Sequence, residues 1–166
     1  MDVYEDTSDE SRTVESTEIN PLHLDTYGYH KRLAELTVMR RASNWQIFRL
    51  GQMVGTGLVK GPVFDLLQDQ LIRISQDSEF PFLRTKSMAK AIFQLIGEAP
   101  DKEVFNICGV GSVTFGEVMK RFPATQATIN PDGRRQIYRI STDKTLAFCD
   151  LPKSQDEITS FLLQKA

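Results

Sequence analysis

The 166-residue sequence has few of the side chains that build metal sites or disulfide frameworks. It contains two cysteines and two histidines, and Cys108 and Cys149 lie far apart in apolar stretches. This spacing fits neither a disulfide scaffold nor a zinc site, so we predict two reduced thiols in the core. His23 falls in a predicted loop and His30 points away from the helix face of Lys31, so neither indicates catalysis.

Long apolar runs are also lacking. No stretch approaches the roughly 20 apolar residues that a membrane-spanning helix needs, and no charged-then-apolar leader opens the sequence. We therefore expect a cytoplasmic protein that has no membrane partner. No basic run suggests binding to nucleic acid. Hydrophobic residues make up 40% and charged residues 25% of the sequence, which is typical of a globular domain.

Acidic charge is concentrated at the start of the chain. Residues 1–25 hold eight acidic groups against Arg12, a net charge of −7, and the sequence total of −2 leaves +5 for the other 141 residues. A moderately basic body would suit an anionic ligand such as a diphosphate. An ordinary solvated surface would give the same distribution, so both interpretations stay open.

Helical and strand patterns alternate along the chain. Residues 5–20 are polar without an apolar period and are predicted to form an exposed loop. Periodicity, caps and strand-forming runs predict a helix over 26–41, a strand over 45–50, a helix over 62–67, a strand over 71–74, a helix around 88–96 and a strand over 104–107. Capping-box patterns from Thr114 to Glu117 and from Ser154 to Glu157 predict two more helix starts. This alternation predicts an α/β layered domain.

Tyr27 and Lys31 are four positions apart on the first predicted helix, so their side chains share a face. A nearby ammonium favours the phenolate form of a tyrosine. Such a pair can exchange a proton with a substrate hydroxyl while hydride moves to or from a nicotinamide. An exposed aromatic–cation pair has the same spacing, so the surrounding sequence must decide between the two.

The surrounding sequence resembles one known family. The stretch from Pro21 to Glu35, PLHLDTYGYHKRLAE, is similar to the extended short-chain dehydrogenase/reductase pattern of a proline, Tyr-Gly-x-x-Lys and a helix with Ala-Glu. Further matches follow in the family's order. Val3-Tyr4 stands where the family has a strand end, Phe48–Gly55 (FRLGQMVG) resembles its strand ending in Arg-x-x-Asn-x-x-Gly, and Val104–Gly109 (VFNICG) resembles its late strand with Tyr-Asn-x-Gly. Ser112–Thr114 then precedes a capped helix, and the final helix from Pro152 to Leu163 also has a counterpart.

This resemblance implies the C-terminal half of an NAD(P)-dependent sugar-nucleotide epimerase or dehydratase. The implied fold is α/β: the C-terminal part of a Rossmann-like doubly wound sheet plus the small substrate-binding domain. Residues 1–25 would form a strand end and an acidic loop, and 26–55 the Tyr/Lys helix with the following Rossmann-like strand. Residues 56–166 would be mainly the substrate-binding region, with one returning strand.

The resemblance also implies roles for particular residues. Tyr27 would be the general acid/base, and Lys31 would hold the nicotinamide ribose of NAD or NADP. Leu50 and Gly51 would pass their backbone beside the nicotinamide. Gln52 would contact the sugar or diphosphate of a nucleotide-sugar substrate, and Lys60, in a substrate lid, is a candidate phosphate partner. The Tyr27/Lys31 helix would also form much of a homodimer interface.

The sequence departs from the family pattern in several places. The family's catalytic serine or threonine would fall just ahead of Met1, and no Gly-x-x-Gly-x-x-Gly turn follows a strand, so we do not expect tight cofactor binding by these residues alone. The segment 80–87 replaces the usual Arg-Asp-Phe-x-His-Val-x-Asp, and Gln52 replaces an asparagine. Two hypotheses follow. One is an enzyme whose missing N-terminal half comes from a truncated upstream sequence or a second chain, and the other is a non-catalytic remnant or binding module of the same fold.

Overall fold

Six helices and eight short strands alternate along residues 1–165, the part of the chain that the computed structural model describes. The helices are α1 Thr26–Arg41, α2 Pro62–Leu67, α3 Thr85–Glu98, α4 Phe115–Lys120, α5 Asp143–Leu146 and α6 Ser154–Leu163. The strands are β1 Gln46–Leu50, β2 Gln52–Val54, β3 Ile72–Ile74, β4 Glu79–Phe80, β5 Phe82–Arg84, β6 Glu103–Ile107, β7 Val113–Thr114 and β8 Ile129–Arg134. The predicted α/β class is therefore confirmed.

The strands associate in pairs, and most of the pairs are parallel. β1 pairs with β6 in parallel, with Phe48 opposite Phe105. β2 pairs in parallel with β5, and β3 with β8. The antiparallel pair is β4 with β7. Parallel strands need a long crossover connection, and the helices between the paired strands supply it.

Helix α1 begins and ends where its sequence pattern predicts. The Asp25 carboxylate accepts a hydrogen bond of 2.7 Å from the backbone N–H of Gly28 and caps the first turn. Gly28 lies directly against the backbone carbonyl of Asp2, where a side chain would collide. The start of α1 is therefore held close to the first residues of the chain.

Three hydrophobic clusters form the core. One joins β1 and β6 to α3 through side chains such as Phe105, Ile107 and Leu95. The largest lies under α2, α4 and α6, and the third surrounds Tyr4 and Cys108. Both cysteines are buried and free, as predicted, and burial raises the pKa of the Cys108 thiol to about 12. The predicted division at residues 25/26 and 55/56 remains a prediction.

The acidic N-terminal segment differs from the exposed loop that its composition predicts. It contains a short 3₁₀ turn at Glu10–Arg12, and Thr13 and Ile19 are buried. Val3 and Tyr4 lie in a turn and are buried, so they do not form the predicted strand end. The difference arises because Thr13 hydrogen-bonds to groups far away in the sequence, the Arg139 carbonyl and the Asn106 side-chain amide, which leaves no periodic signal.

One of the two predicted capping boxes is wrong. Thr114 and Glu117 form theirs at the start of α4. At α6 the capping position belongs to Lys153, and its side chain makes no capping hydrogen bond. Ser154 instead accepts a 2.7 Å hydrogen bond from the Phe82 backbone N–H, and Glu157 pairs with Arg84. Both side chains fasten α6 to β5.

Within residues 1–165, every helix is too short or too polar to cross a bilayer.

Candidate functional site

Tyr27 and Lys31 lie one turn apart on the accessible side of α1. The Lys31 Nζ atom is 5.2 Å from the centroid of the Tyr27 ring. Tyr27 is 58% exposed, so its hydroxyl can meet a ligand without any rearrangement of the core. The shared face that the spacing predicts is therefore confirmed.

A cavity of about 360 Å³ opens between α1 and β1. The helix contributes Tyr27, Lys31 and Glu35 to its wall, and the strand contributes Arg49 and Leu50. The wall also contains apolar side chains from both elements and residues 1–3. The predicted proton-transfer pair on α1 and the end of the predicted nicotinamide strand, β1, therefore line the same cavity.

A smaller cavity, about 110 Å³, adjoins the first one. The two share Met1, Asp2 and Leu50, and the smaller one is also lined by Gly51 and Gln52. The structure thus brings five of the six predicted site residues to two neighbouring cavities. Lys60 lines neither; it is exposed in the loop before α2.

Gly51 occupies a position where only a bare backbone fits. A Cβ atom there would collide with the Cys108 side chain and approach the Pro81 carbonyl to 3.1 Å. The Gly51 N–H donates a 3.0 Å hydrogen bond to the Ile107 carbonyl and so continues the pairing of β1 with β6. Close packing on one side leaves the Gly51 backbone as part of the cavity wall on the other.

A buried ion pair joins α1 to β1. The Arg49 Nε and Nη2 atoms each donate a 2.8 Å hydrogen bond to the Glu35 carboxylate, and Arg32 donates a third of 2.8 Å. Burial alone would raise the pKa of Glu35, but the hydrogen bonds and positive charges of Arg49 and Arg32 hold it below its ordinary value. The pair was not predicted, although a charged residue inside a predicted strand indicates a buried partner.

Arg49 also connects the ion pair to the N-terminal segment. Its guanidinium lies 4.8 Å from the centroid of the Tyr4 ring, and the Tyr4 hydroxyl donates a 2.9 Å hydrogen bond to Asn106 Oδ1. The Asn106 amide donates to the carbonyls of Thr13 and Ser141. Burial raises the pKa of Tyr4, which keeps this hydroxyl a neutral donor. The polar network therefore positions residues 1–15 beside the two cavities.

Asp2 and Tyr138 form a second polar contact, in the smaller cavity. The Tyr138 hydroxyl donates a 2.8 Å hydrogen bond to Asp2 Oδ1, and the Tyr138 ring stacks on Phe80 with centroids 5.8 Å apart. Burial raises the pKa of Tyr138, and the Asp2 carboxylate raises it further. The lining of this cavity contains no lysine or arginine. The two residues are 136 positions apart, so no local pattern could have predicted their contact.

Residues 1–165, the described part of the chain, contain no group of three or more His, Cys, Asp or Glu side chains placed to hold a metal ion. The chemistry that the two cavities offer is proton transfer by a tyrosine beside a lysine. Leu50 and Gly51 line the smaller cavity nearby.

Comparison with solved structures identifies similar folds. A UDP-galactose 4-epimerase superposes with a TM-score of 0.77 and 16% identity, covering 99% of this chain and 61% of the epimerase. A dTDP-glucose 4,6-dehydratase from Bacillus anthracis in complex with NAD gives 0.71 and 14%, covering 90% and 54%. A UDP-glucuronic acid 4-epimerase variant from Bacillus cereus, bound to a fluorinated UDP-glucuronic acid and NAD, gives 0.76 and 13%, covering 99% and 58%.

These similarities are structural. No protein-family model matches the sequence, and no curated protein matches it. The chain spans 54–61% of the length of the three solved structures. At this level of identity the similarity establishes the fold, and the expected α/β architecture with parallel strands is confirmed. The chain shares the fold of the extended short-chain dehydrogenase/reductases over a part of their length.

Proposed function

We propose that this chain carries the proton-transfer and nicotinamide-facing part of an NAD(P)-dependent epimerase or dehydratase that acts on a sugar nucleotide. The observation that carries the proposal is that Tyr27, Lys31 and Leu50 line one cavity of about 360 Å³. A volume of this size suits a nicotinamide ring with its ribose. Neighbouring solved structures that contain NAD support the choice of cofactor.

In this mechanism Tyr27 would exchange a proton with a substrate hydroxyl, and NAD or NADP, when bound, would supply the hydride chemistry. Lys31 binds the ribose hydroxyls of NAD or NADP, and its ammonium stabilises negative charge on the Tyr27 oxygen. The Leu50 and Gly51 backbone forms the wall beside the ring. The Glu35–Arg49 pair fixes the distance between α1 and β1, so it positions Tyr27 without contacting the substrate.

The sugar would occupy the smaller cavity, where the side chains of Gln52 and Asp2 offer hydrogen bonds to hydroxyl groups. The lining there has no lysine or arginine for a diphosphate. Gly61 lies against the Gln52 amide, which brings the loop carrying Lys60 close to this cavity. We therefore assign the diphosphate to that loop, with Lys60 as its cationic partner.

The cradle for the cofactor pyrophosphate would come from outside these residues, because the 166-residue sequence contains no Gly-x-x-Gly-x-x-Gly turn after a strand. We propose that the rest of the protein or a second chain supplies it. Within residues 1–165, β1 pairs with β6 alone, so its other edge is available to another strand. The partly exposed Leu33 and Leu36 support a homodimer through α1, and the two reduced thiols support a cytoplasmic location.

A second candidate is a non-catalytic binding module of the same fold. Phe80 and Pro81 line the smaller cavity and give it an apolar wall without a lysine or arginine, which favours a role other than turnover of a diphosphate substrate.

The experiment joins this chain to the glycine-rich half of a UDP-galactose 4-epimerase and measures both NADH binding by fluorescence and turnover of UDP- and dTDP-hexoses. We expect the hybrid to bind NADH and to turn over one of these substrates. Tyr27→Phe should lower kcat by about 10² or more, because general acid/base catalysis contributes about that factor, and should leave NADH affinity nearly unchanged.

The matched control is Tyr29→Phe, which removes a tyrosine hydroxyl from the same helix outside both cavities and should leave kcat unchanged. Equal turnover by the Tyr27→Phe hybrid would contradict the catalytic assignment. NADH binding without turnover of any hexose would favour the binding module.

A further inference from the structure

A second groove lies away from the Tyr27 and Leu50 cavities. The loop after β2, the start of α3 and the end of α6 form it. It consists of two hollows of about 630 and 280 Å³, and the two share Gly55, Phe161 and Lys165. The first hollow is cationic and the second is apolar, so the groove has two chemically different ends.

Positive charge dominates the cationic end. Its lining includes Arg84, Lys86, Lys90 and Lys165 and contains no aspartate or glutamate. Arg84 is paired with Glu157, with an Nε to Oε1 distance of 3.1 Å, so its charge is largely neutralised. Lys86 and Lys90 make no ion pair within residues 1–165. The hollow therefore keeps at least two uncompensated positive charges.

Hydroxyl groups add donors beside these amines. Thr56, Thr85 and Ser87 all line the cationic hollow. Thr85 and Ser87 belong to the first turn of α3, a helix of 14 residues whose start has no side-chain cap. The positive end of the helix dipole reinforces the attraction that the lysines create.

The apolar end offers a surface for a hydrocarbon or aromatic group. Its lining includes Leu58, Phe64, Leu67, Phe122 and Phe161. Phe161 is buried, whereas Phe64, Leu67 and Phe122 are half-buried and keep part of their surface in the hollow. Lys165 lies where the two ends meet, with Nζ 5.9 Å from the Phe161 ring centroid.

We propose that this groove binds a small soluble anion that carries an apolar group, such as a phosphate monoester of an aromatic or short-chain alkyl alcohol. The anionic group would lie between Lys86 and Lys90 at the start of α3, and the apolar group against Phe64 and Phe122. Both hollows are of the size that small ligands occupy, which favours a small molecule over a membrane surface. The site shares no residue with the two cavities of the proposed function.

The test is a two-dimensional NMR titration of the 166-residue chain with phenyl phosphate. We expect amide shifts at Thr85, Ser87 and Phe161. The double variant Lys86→Gln/Lys90→Gln should bind at least about tenfold more weakly, because it loses charge-assisted hydrogen bonds. The control Lys102→Gln/Lys120→Gln removes two exposed lysines elsewhere and should bind like the parent.

Two further ligands test the two ends separately. Phenyl phosphate should bind about tenfold more tightly than inorganic phosphate, because only the ester reaches the apolar end. Phenol should bind about tenfold more weakly than phenyl phosphate, because it lacks the anionic group. Equal affinities for phenyl phosphate and inorganic phosphate, an unchanged affinity of the Lys86/Lys90 variant, or association with anionic phospholipid vesicles alone would each overturn the proposal.

Discussion

At the residue scale, the Glu35–Arg49 pair controls the geometry of the candidate site. Both side chains are buried and make two hydrogen bonds of 2.8 Å to each other. Burying two charges is costly, and their attraction roughly offsets that cost. Removing one partner is different, because it leaves the other charge buried and uncompensated.

We therefore predict that Glu35→Gln lowers the free energy of unfolding at pH 7 by about 3 kcal/mol, the usual cost of breaking a buried pair. Urea unfolding followed by circular dichroism measures it. Glu18→Gln, a matched change at an exposed carboxylate, should stay within about 0.5 kcal/mol of the parent. A destabilisation no larger than that of the control would show that the pair does not hold α1 in place.

The pH dependence of this difference follows from the direction of the shift. The pKa of Glu35 lies below its ordinary value of 4.5 in the folded protein. A lowered pKa stabilises the fold at pH values above 4.5, and this stabilisation is lost as pH falls through the folded value. The stability gap between the parent and Glu35→Gln should therefore shrink under acid, and a gap that widens there would contradict the assignment.

At the element scale, α1 is an accessible helix that few contacts hold in place. Its first turn is fixed by Gly28 against Asp2, and its middle by Glu35 against Arg49. Leu33, Leu36 and Val38 remain 38–39% exposed. Val38 belongs to the cavity wall, whereas Leu33 and Leu36 are three positions apart on another face, and this adjacent apolar pair supports the proposed interface between chains.

The proposed homodimer predicts that Leu36→Lys weakens self-association by about tenfold or more, since a lysine would place charge in an apolar contact. Analytical ultracentrifugation over a concentration series measures the effect. Leu22→Lys changes a leucine that is 81% exposed outside α1 and serves as the control. An identical monomer–dimer equilibrium for the parent and Leu36→Lys would remove α1 from the interface.

Most helices and strands could be predicted because their signals are local. Helix α1 has its cap and its period in adjacent residues, and α2 begins at Pro62 and ends at Leu67 as its sequence predicts. The failure at α6 has a physical cause. Ser154 and Glu157 have capping-box spacing, but their side chains accept hydrogen bonds from the Phe82 and Arg84 backbone N–H groups of β5 instead.

At the scale of the whole molecule, the ordered motifs predicted the fold but not the walls of the site. Tyr27, Lys31, Leu50, Gly51 and Gln52 converge as the order of the elements requires. The contacts of Asp2 with Tyr138 and of Tyr4 with Asn106 join residues more than 100 positions apart. Contacts between residues so far apart form only when the whole chain has folded, so local sequence patterns do not predict them.

The most direct test of the central claim is a two-dimensional NMR titration of the chain with NADH and, as a matched ligand without nicotinamide, ADP-ribose. An affinity for NADH in the millimolar range is sufficient for this test, because the proposal assigns the cofactor pyrophosphate to residues outside this chain. We predict that NADH shifts the amide signals of Lys31, Leu50 and Gly51, whereas ADP-ribose, which keeps the ribose, shifts Lys31 but not Leu50 or Gly51. Identical shifts from both ligands, or no shift at Leu50 and Gly51, would contradict the claim that this chain forms the nicotinamide side of the site.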